Sequence, residues 1–456
     1  MTDLPIRIFE KYDIPVPRYT SYPTAVQFKS LSSSEYKTKL KLLDQKKKNI
    51  SIYIHIPFCR SMCLFCGCSV ILNRKGDKQQ KYVDCLLQEI ELLGTFLKKK
   101  HFLKQLHFGG GTPTNLTESQ FSEIVAALKK HIIFSDKIEM SIEIDPRNII
   151  KDCGKKLSFL KQLGFNRVSF GVQDTDLRVQ EAVKRRQTKQ MTIQTFSWAK
   201  DLGFEGINLD LIYGLPRQTK ETFKKTVESI LAMRPDRIAL FSYAKVPWLK
   251  PHQKAIKEAE LPSQSEKFTI YRYARKAFVE NGYMPIGMDH FALPDDPLSK
   301  AFLTKSLDRN FQGYSLSVSS DMIGLGMSSI GYVQGGYFQN ERDLEAYQER
   351  VLKKDLPIFR GYILSEDDHI HKWVINKLMC NFKIDKHEFN RVFNRSFDQY
   401  FSNLEQKIKA LEVEGLIYFD DMGFVATNQG ELFIRIVASI FDQYYECRLN
   451  QYSRSV

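Results

Sequence analysis

A chain of 456 residues, 43% hydrophobic and 12% aromatic, carries enough apolar side chain to bury a large core, which excludes a disordered protein and predicts one big domain with smaller attachments. The formal charge of +14 favours anionic partners: nucleic acid, a phosphorylated cofactor, or a substrate rich in carboxylates. No apolar run approaches the roughly 20 residues of a membrane-spanning helix. Met1 to Glu10 has no apolar signal core, and eight cysteines are too few for a disulfide scaffold, so a cytoplasmic protein with no membrane partner is expected.

The first fifty residues, with Pro15, Pro17 and Pro23 in PVPRYTSYPT and then the lysine-rich KLKLLDQKKK, read as an irregular arm leading into a helix (1–50). From Ser51 short apolar runs alternate with stretches of helical period. SIYIHIP, KQLHFGG, KIEMSIEI, NRVSFGV, GINLDLIYG and PDRIALFSY are the predicted strands. Helices are predicted around Gln79 to Lys98, Glu118 to Lys130, Lys155 to Leu163, Thr188 to Leu202 and Lys220 to Met233. Six strands, each followed by a helix or turn, imply right-handed crossovers and an α/β fold whose parallel sheet curves into an incomplete (β/α)6 barrel over 51–290. Its ligands belong at the C-terminal ends of the strands. After Leu261 a long helix and the strand-like GYMPIGMDH close this region. A loop-rich segment (291–360) follows, with NFQGYS and GLGMSS. A small, mostly helical C-terminal domain (361–456) has helices near Glu366 to Cys380 and Asn403 to Glu414, the hairpin LIYFDDMGFVAT, and a final helix to about Arg448, an order resembling a winged-helix module.

The chemistry starts from HIPFCRSMCLFCGC, where three residues separate Cys59 from Cys63 and two separate Cys63 from Cys66. A zinc site normally has a second ligand pair downstream, and none follows. Three thiolates on one short loop suit a [4Fe–4S] cubane with one open iron, whereas an electron-transfer cluster uses four cysteines. Cys68 is a possible fourth ligand, but with only Gly67 intervening it reads better as a neighbour of the cluster.

Other unusual residues gather at the predicted strand ends. Gly109-Gly110-Gly111-Thr112 follows the second strand, where backbone can approach a ligand closely, although a plain turn has the same composition. Glu143 and Asp145 end the third strand, where periodicity alone fits a solvated edge equally well. Gln173 follows the fourth strand. Asp210 interrupts the apolar fifth strand, and a buried carboxylate needs a partner such as a ribose hydroxyl or a cation. His55 reads as a satisfied core histidine. Arg185 and Arg186 fit solvated helix charge, or a planar fork for a carboxylate.

The C-x3-C-x2-C spacing, with Phe65 just before the last cysteine, resembles the signature of the radical S-adenosylmethionine superfamily. That resemblance implies that the open iron chelates the methionine group of S-adenosylmethionine, and that reductive cleavage yields a 5′-deoxyadenosyl radical. Further segments are similar to one branch, the oxygen-independent coproporphyrinogen III oxidases: PRYTSYPT at 17 to 24, IYIHIPFC…CLFCGC, LHFGGGTPT, SIEIDPR, RVSFGVQD, NLDLIYGLP, GMDHFA, RNFQGY and LGMSSI, with weaker similarity from Cys380 to the tail. The resemblance implies two S-adenosylmethionine molecules. The first would contact Tyr53, Gly110, Glu143 and Ile330, and the second Phe65, Gly111, Thr112, Gln173, Arg185, Asp210 and Ala244. The implied substrate is coproporphyrinogen III, two of whose propionates become vinyl groups, with an electron donor and an acceptor that the sequence does not name.

A related haem-chaperone branch shares the cluster loop. Its His-Asn-x-x-Tyr-Trp element is absent here, the loop reads Cys66-Gly67-Cys68, and the PRYTSYPT arm is present, all of which favour the oxidases. An RNA-modifying radical enzyme would need basic residues clustered with exposed aromatics. The tail instead mixes signs, as in FDDMG and FDQYYECR, so no nucleic-acid partner is expected. No coiled-coil pattern argues for a multimer, and a monomer is expected.

Overall fold

In Asn49–Ile56 (β1) the isoleucines at 50, 52, 54 and 56 are fully buried while Ser51, Tyr53 and His55 turn the other way. That period of two belongs to a strand covered by helices on one face and facing an interior on the other. Similar alternation runs through Phe102–Gly110 (β2), Ile133–Ile144 (β3), Arg167–Gln173 (β4), Gly206–Tyr213 (β5) and Arg237–Ser242 (β6). In the computed structural model, which describes residues 9, 11–45, 48–316, 321–446 and 452–455, these six strands pair in parallel and in chain order. They are the six expected from the sequence.

Five helices cover the apolar face: Gln79–Gly94 (α1), Glu118–His131 (α2), Lys155–Leu163 (α3), Lys189–Asp201 (α4) and Lys220–Met233 (α5). Their ends are set locally. Thr117 with Gln120, and Thr219 with Thr222, form capping boxes, and Gly164 ends α3 in the left-handed region. Helix α1 stops short of the expected Lys98 because Thr95 turns its hydroxyl back onto the Leu92 carbonyl (2.7 Å). After β6, Gln264–Glu280 (α6) leads to a hairpin of Met284–Ile286 (β7) and His290–Ala292 (β8), whose second strand lies antiparallel to β6.

The sheet stays open. Beyond β1 it continues through the stretch that the sequence presents as loop-rich: Asp321–Leu325 (β9) pairs parallel with β1, then Ile330–Val333 (β10), Gly336–Asn340 (β11) and Ile358–Ile363 (β12) follow antiparallel, and Lys29–Ser30 of the arm adds to β12. Strands of four to six residues leave little alternation to read. Gln334 and Gly335, both at positive φ, make the two-residue turn that matches strand twist between β10 and β11.

Helix α1 fastens this added sheet to the end of β1. Tyr82 donates to the His55 carbonyl (2.6 Å) and accepts from the Met327 N–H (3.1 Å). Glu89, fully buried, accepts from the Gly326 N–H (2.8 Å), the Asn340 amide (2.7 Å) and the Tyr347 hydroxyl (2.7 Å). Burial pushes its carboxyl up to about 7 in spite of those bonds. A folded-state value raised above the ordinary 4.5 gives stability that is fully present below 4.5 and lost as pH rises through about 7. Glu89→Gln, neutral throughout, should flatten that decline. Urea unfolding at about pH 5 and about pH 8 checks it, and equal losses in variant and wild type would refute the assignment.

The C-terminal part packs Glu366–Asn381 (α7) and Glu405–Val413 (α8) with a three-stranded sheet of Lys383–Asp385, Ile417–Asp420 and Gly423–Ala426. The last helix ends at Ser439, not near Arg448, which lies outside the described residues. Asp442 accepts from the Tyr444 N–H (2.9 Å) and the Tyr19 hydroxyl (3.2 Å), turning the chain away from the helix axis.

Candidate functional site

Past β1 the chain turns at Pro57, and Phe58–Cys59 pairs in parallel with Ile71–Leu72, closing a loop that carries Cys63, Cys66 and Cys68. The segment after β6 clasps this loop through its main chain. Gln253 donates to the Phe65 carbonyl (3.0 Å) and the Ala244 carbonyl (3.2 Å), His252 to that of Cys66 (2.8 Å) and Lys250 to that of Cys68 (2.7 Å). Phe65 and Ala244, 179 residues apart in the chain by subtraction of their numbers, thus share one amide.

Two guanidiniums meet the Cys63 thiol, Arg147 Nη2 and Arg185 Nη1, each 3.6 Å from its Sγ. Cys59 Sγ lies 3.3 Å from Thr112 Oγ1. Burial pushes the Cys59 thiol up to about 12, while the hydrogen bond from the Cys68 thiol draws Cys66 down to about 7. Coordination to iron would deprotonate either one. Among the described residues no three ligating side chains crowd about a single-ion point. A cubane asks for a wider triangle, because each thiolate takes a different iron. Three thiols on one clasped loop, one of them met by two arginines, supply the ligand set of such a cluster.

The glycine run lies against the base of this loop. At Gly110, φ is +115° and a Cβ would stand 2.6 Å from the His55 ring; at Gly111 it would stand 2.6 Å from the Pro57 carbonyl oxygen. The His55 clash falls on a side chain, but the Pro57 clash falls on backbone that cannot swing aside. Gly111→Ala is therefore expected to cost about 1–3 kcal/mol and to lower the iron bound per chain. Thermal unfolding and iron analysis measure both, and a variant with wild-type midpoint and iron content would contradict the close approach.

Inside the barrel the inward residues form two groups. On β1 to β3, the Tyr53 ring stacks on His107 (centroids 5.9 Å apart), and its hydroxyl meets His55 Nδ1 (2.9 Å). Glu143 accepts from the Gly110 N–H (3.0 Å) and lies 3.5 Å from His107 Nε2. Depth within the barrel pushes the Glu143 carboxyl up, but His107 and the Gly110 N–H outweigh it and hold the group below the ordinary carboxylate range. Ile330 joins this group through Gly324, the register partner of Tyr53; a Cβ on Gly324 would be 2.9 Å from the Ile330 carbonyl carbon.

The second group stands on β4 and β5. Gly171 pairs with Asp210, and a Cβ on Gly171 would meet Gln173 Nε2 at 3.0 Å and Arg185 Nη2 at 3.1 Å, so Gln173, Arg185 and Asp210 are neighbours. Gln173 has φ +70°, and its Oε1 is buried without a partner among the described residues, an orphaned acceptor that fits a ligand's donor. Asp210 accepts from Ser169 (3.1 Å) and Asn208 (2.7 Å); burial, then the charge of Glu143, push it up to about 6. Asp145 is held by Arg147 through Nε and Nη2, with Arg185 3.7 Å away. Those cations overcome burial and hold Asp145 low.

Sequence reasoning missed His107, Ser141, Ser169 and Asn208, which line the cavity between the two groups. Stepping back by two from Glu143 and Asp210 reaches Ser141 and Asn208, so the strand period already carried that signal. It also missed Arg147, although SIEIDPR contains it. Lys250, His252 and Gln253 had no local signal, because they act on backbone carbonyls more than 180 residues away in sequence.

Comparison with known proteins gives the family. Residues 53–230 match the family described as the radical SAM superfamily, and residues 364–433 match the HemN C-terminal domain. An oxygen-independent coproporphyrinogen III oxidase of Synechocystis is 39% identical over 98% of this chain and 97% of its own length, and one of Helicobacter pylori is 41% identical over 98% of both. The solved structure of coproporphyrinogen III oxidase from Escherichia coli, described as a radical SAM enzyme, superposes with a TM-score of 0.90 at 36% identity, covering 97% of this chain and 99% of that one. Likeness of that extent, over both matched regions and nearly end to end, places the chain in the oxygen-independent coproporphyrinogen III oxidase family of radical SAM enzymes.

Proposed function

We propose that this protein converts two propionate side chains of coproporphyrinogen III to vinyl groups, giving protoporphyrinogen IX without oxygen. The observation that carries this reading is the end-to-end likeness to the family. Cys59, Cys63 and Cys66 would hold a [4Fe–4S] cluster, which with S-adenosylmethionine supplies a hydrogen-abstracting 5′-deoxyadenosyl radical. Each propionate loses one hydrogen atom from its β-carbon, one electron to an acceptor, and carbon dioxide, which leaves the double bond. An external one-electron donor and an acceptor complete the reaction.

Two S-adenosylmethionine molecules would be bound, one by each group of inward residues. Tyr53, Gly110, Glu143 and Ile330 would take the first. Glu143, kept ionised and already holding the Gly110 N–H, suits an ammonium group. Phe65, Gly111, Thr112, Gln173, Arg185, Asp210 and Ala244 would take the second, with Arg185 for a carboxylate and Asp210 for ribose hydroxyls. The chain would divide into an arm (1–50), a catalytic barrel (51–290), a closing segment (291–360) and a helical C-terminal domain (361–456), and would work as a cytoplasmic monomer without nucleic acid. Among the described residues no helix is long and apolar enough to cross a membrane. Equilibrium binding of labelled S-adenosylmethionine to the reconstituted protein tests the two-site reading. Two molecules per chain, falling to one in Asp210→Ala, are expected, and one per chain in the wild type would contradict it.

A further inference from the structure

Three segments have no role assigned above: PRYTSYPT of the arm, GMDHFA at β8, and RNFQGY. The fold brings all three to one carboxylate. Asp289, 4% exposed, bonds His290 Nδ1 through Oδ1 (2.6 Å) and Arg18 Nη2 through Oδ2 (3.4 Å), with Arg309 Nη2 3.8 Å from the same oxygen. Arg309 Nε donates to the Arg18 carbonyl (3.2 Å), and its guanidinium lies 4.4 Å over the Tyr314 ring. Burial pushes the Asp289 carboxyl up, but Arg309, His290 and Arg18 outweigh it and hold the group far below the usual range. A carboxylate kept anionic in this way fixes its histidine: Nδ1 keeps its proton for Asp289, and Nε2 is left for another partner.

His290 lines the cavity of about 200 Å³ inside the barrel, together with Arg237, Asn208, Asp210 and Gln312. Gly313 (φ +104°) stands against the free edge of the ring, and a Cβ there would lie 3.3 Å from Cε1 and 3.6 Å from Nε2, so glycine keeps that edge open. Strand register gives the rest. Asp210, Ala239 and His290 form one row across β5, β6 and β8, and the small Ala239 leaves a notch between the two polar residues. Arg237 is two residues before Ala239 on the same face, hence diagonal to His290 at about 7–8 Å. Its Nε is taken by Asp296 (2.8 Å), whereas Nη2 is buried with no partner among the described residues. One imidazole nitrogen and one guanidinium N–H therefore border the same notch.

We propose that His290, oriented by Asp289, and Arg237 form a carboxylate anchor for a ligand of the reaction; the inference rests on the substrate reading given above. A cavity of about 200 Å³ admits a flexible arm ending in a carboxylate. Two ligands carry such an arm: the porphyrinogen, through a propionate, and the second S-adenosylmethionine, through its methionine group, whose carboxylate would then sit here in place of the Arg185 contact given above. Holding either one requires an N–H at Nε2 as well as the one that Nδ1 gives to Asp289.

The test uses the reconstituted holoenzyme. His290→Gln keeps hydrogen bonding but not charge, and Arg237→Lys keeps the pairing to Asp296 while deleting Nη2. If a propionate is held, each variant raises KM for coproporphyrinogen III by about tenfold or more with two S-adenosylmethionine molecules still bound. If the methionine carboxylate is held, the bound number falls to one. Wild-type KM and wild-type binding in both variants, in preparations of normal iron content, overturn the anchor. Turnover by the wild type separates the two failures: its absence sinks the substrate reading, whereas normal turnover with unaltered variants sinks only the anchor.

Discussion

Cys63→Ala is expected to leave a folded protein that holds no stable cluster and forms product at a rate lower by about a thousandfold or more, because radical generation then has no uncatalysed route of comparable speed. Cys63 is the most buried of the three proposed ligands and the one that both arginines touch. Removing its sulfur withdraws one corner of the cube and leaves Arg147 and Arg185 facing an empty site. Asp145 still balances both guanidiniums, so the barrel should survive the change. Cys68→Ala is the informative companion. Its carbonyl, not its thiol, is what Lys250 holds, so the clasp persists and iron should bind in normal amount. Iron and sulfide analysis with anaerobic turnover checks both, and a Cys68 variant as empty as the Cys63 variant would make Cys68 a ligand.

The second large effect concerns stability. Arg435 is 4% exposed and carries its charge among backbone carbonyls: Nε donates to Pro17 (3.0 Å), Nη1 to Arg454 (2.6 Å) and Ser455 (3.2 Å), and Nη2 to Ser453 (3.1 Å) and to Val16. One guanidinium thereby pins the arm to the tail, alongside the bridge between Pro15 and Arg454. Burial draws its own pKa down to about 9, so the charge is retained at neutral pH. Arg435→Leu would take a donor from five carbonyls, of which Ser453 keeps the Val16 N–H (3.1 Å), and at about 1–3 kcal/mol for each of the other four left unsatisfied, a loss above about 4 kcal/mol is expected even after water enters. The unfolding temperature should fall by many degrees, and limited proteolysis should cut the arm first, freeing Arg18 from Asp289. A variant with wild-type unfolding and an uncut arm would show that the termini are held by other contacts.

Much of this was legible in the sequence, for reasons that particular residues make plain. Strand β1 alternates isoleucine with polar residues, so its period and its two faces can be read directly. Helices α3 and α5 begin and end where expected because Gly164, Thr219 and Thr222 punctuate them. The cysteine loop is a local motif, and local motifs survive without tertiary knowledge. The four strands after residue 320 were not legible. Each is short, and pairing along the open side of β1, not hydrophobic alternation, decides that they are strands. The same limit applied to the site. Asp210 was conspicuous as a charge in an apolar run, whereas His107 and Arg147 sat in runs already polar. The Asp289 hub is assembled from residues 18, 289, 290 and 309, a separation across which no spacing rule reaches.

The most direct measurement is anaerobic turnover of the reconstituted, reduced protein with S-adenosylmethionine and coproporphyrinogen III, with products identified by mass. Protoporphyrinogen IX, accompanied by methionine and by one 5′-deoxyadenosine for each carbon dioxide lost, is the predicted result. A protein with a complete cluster that cleaves S-adenosylmethionine yet leaves all four propionates intact would contradict the account.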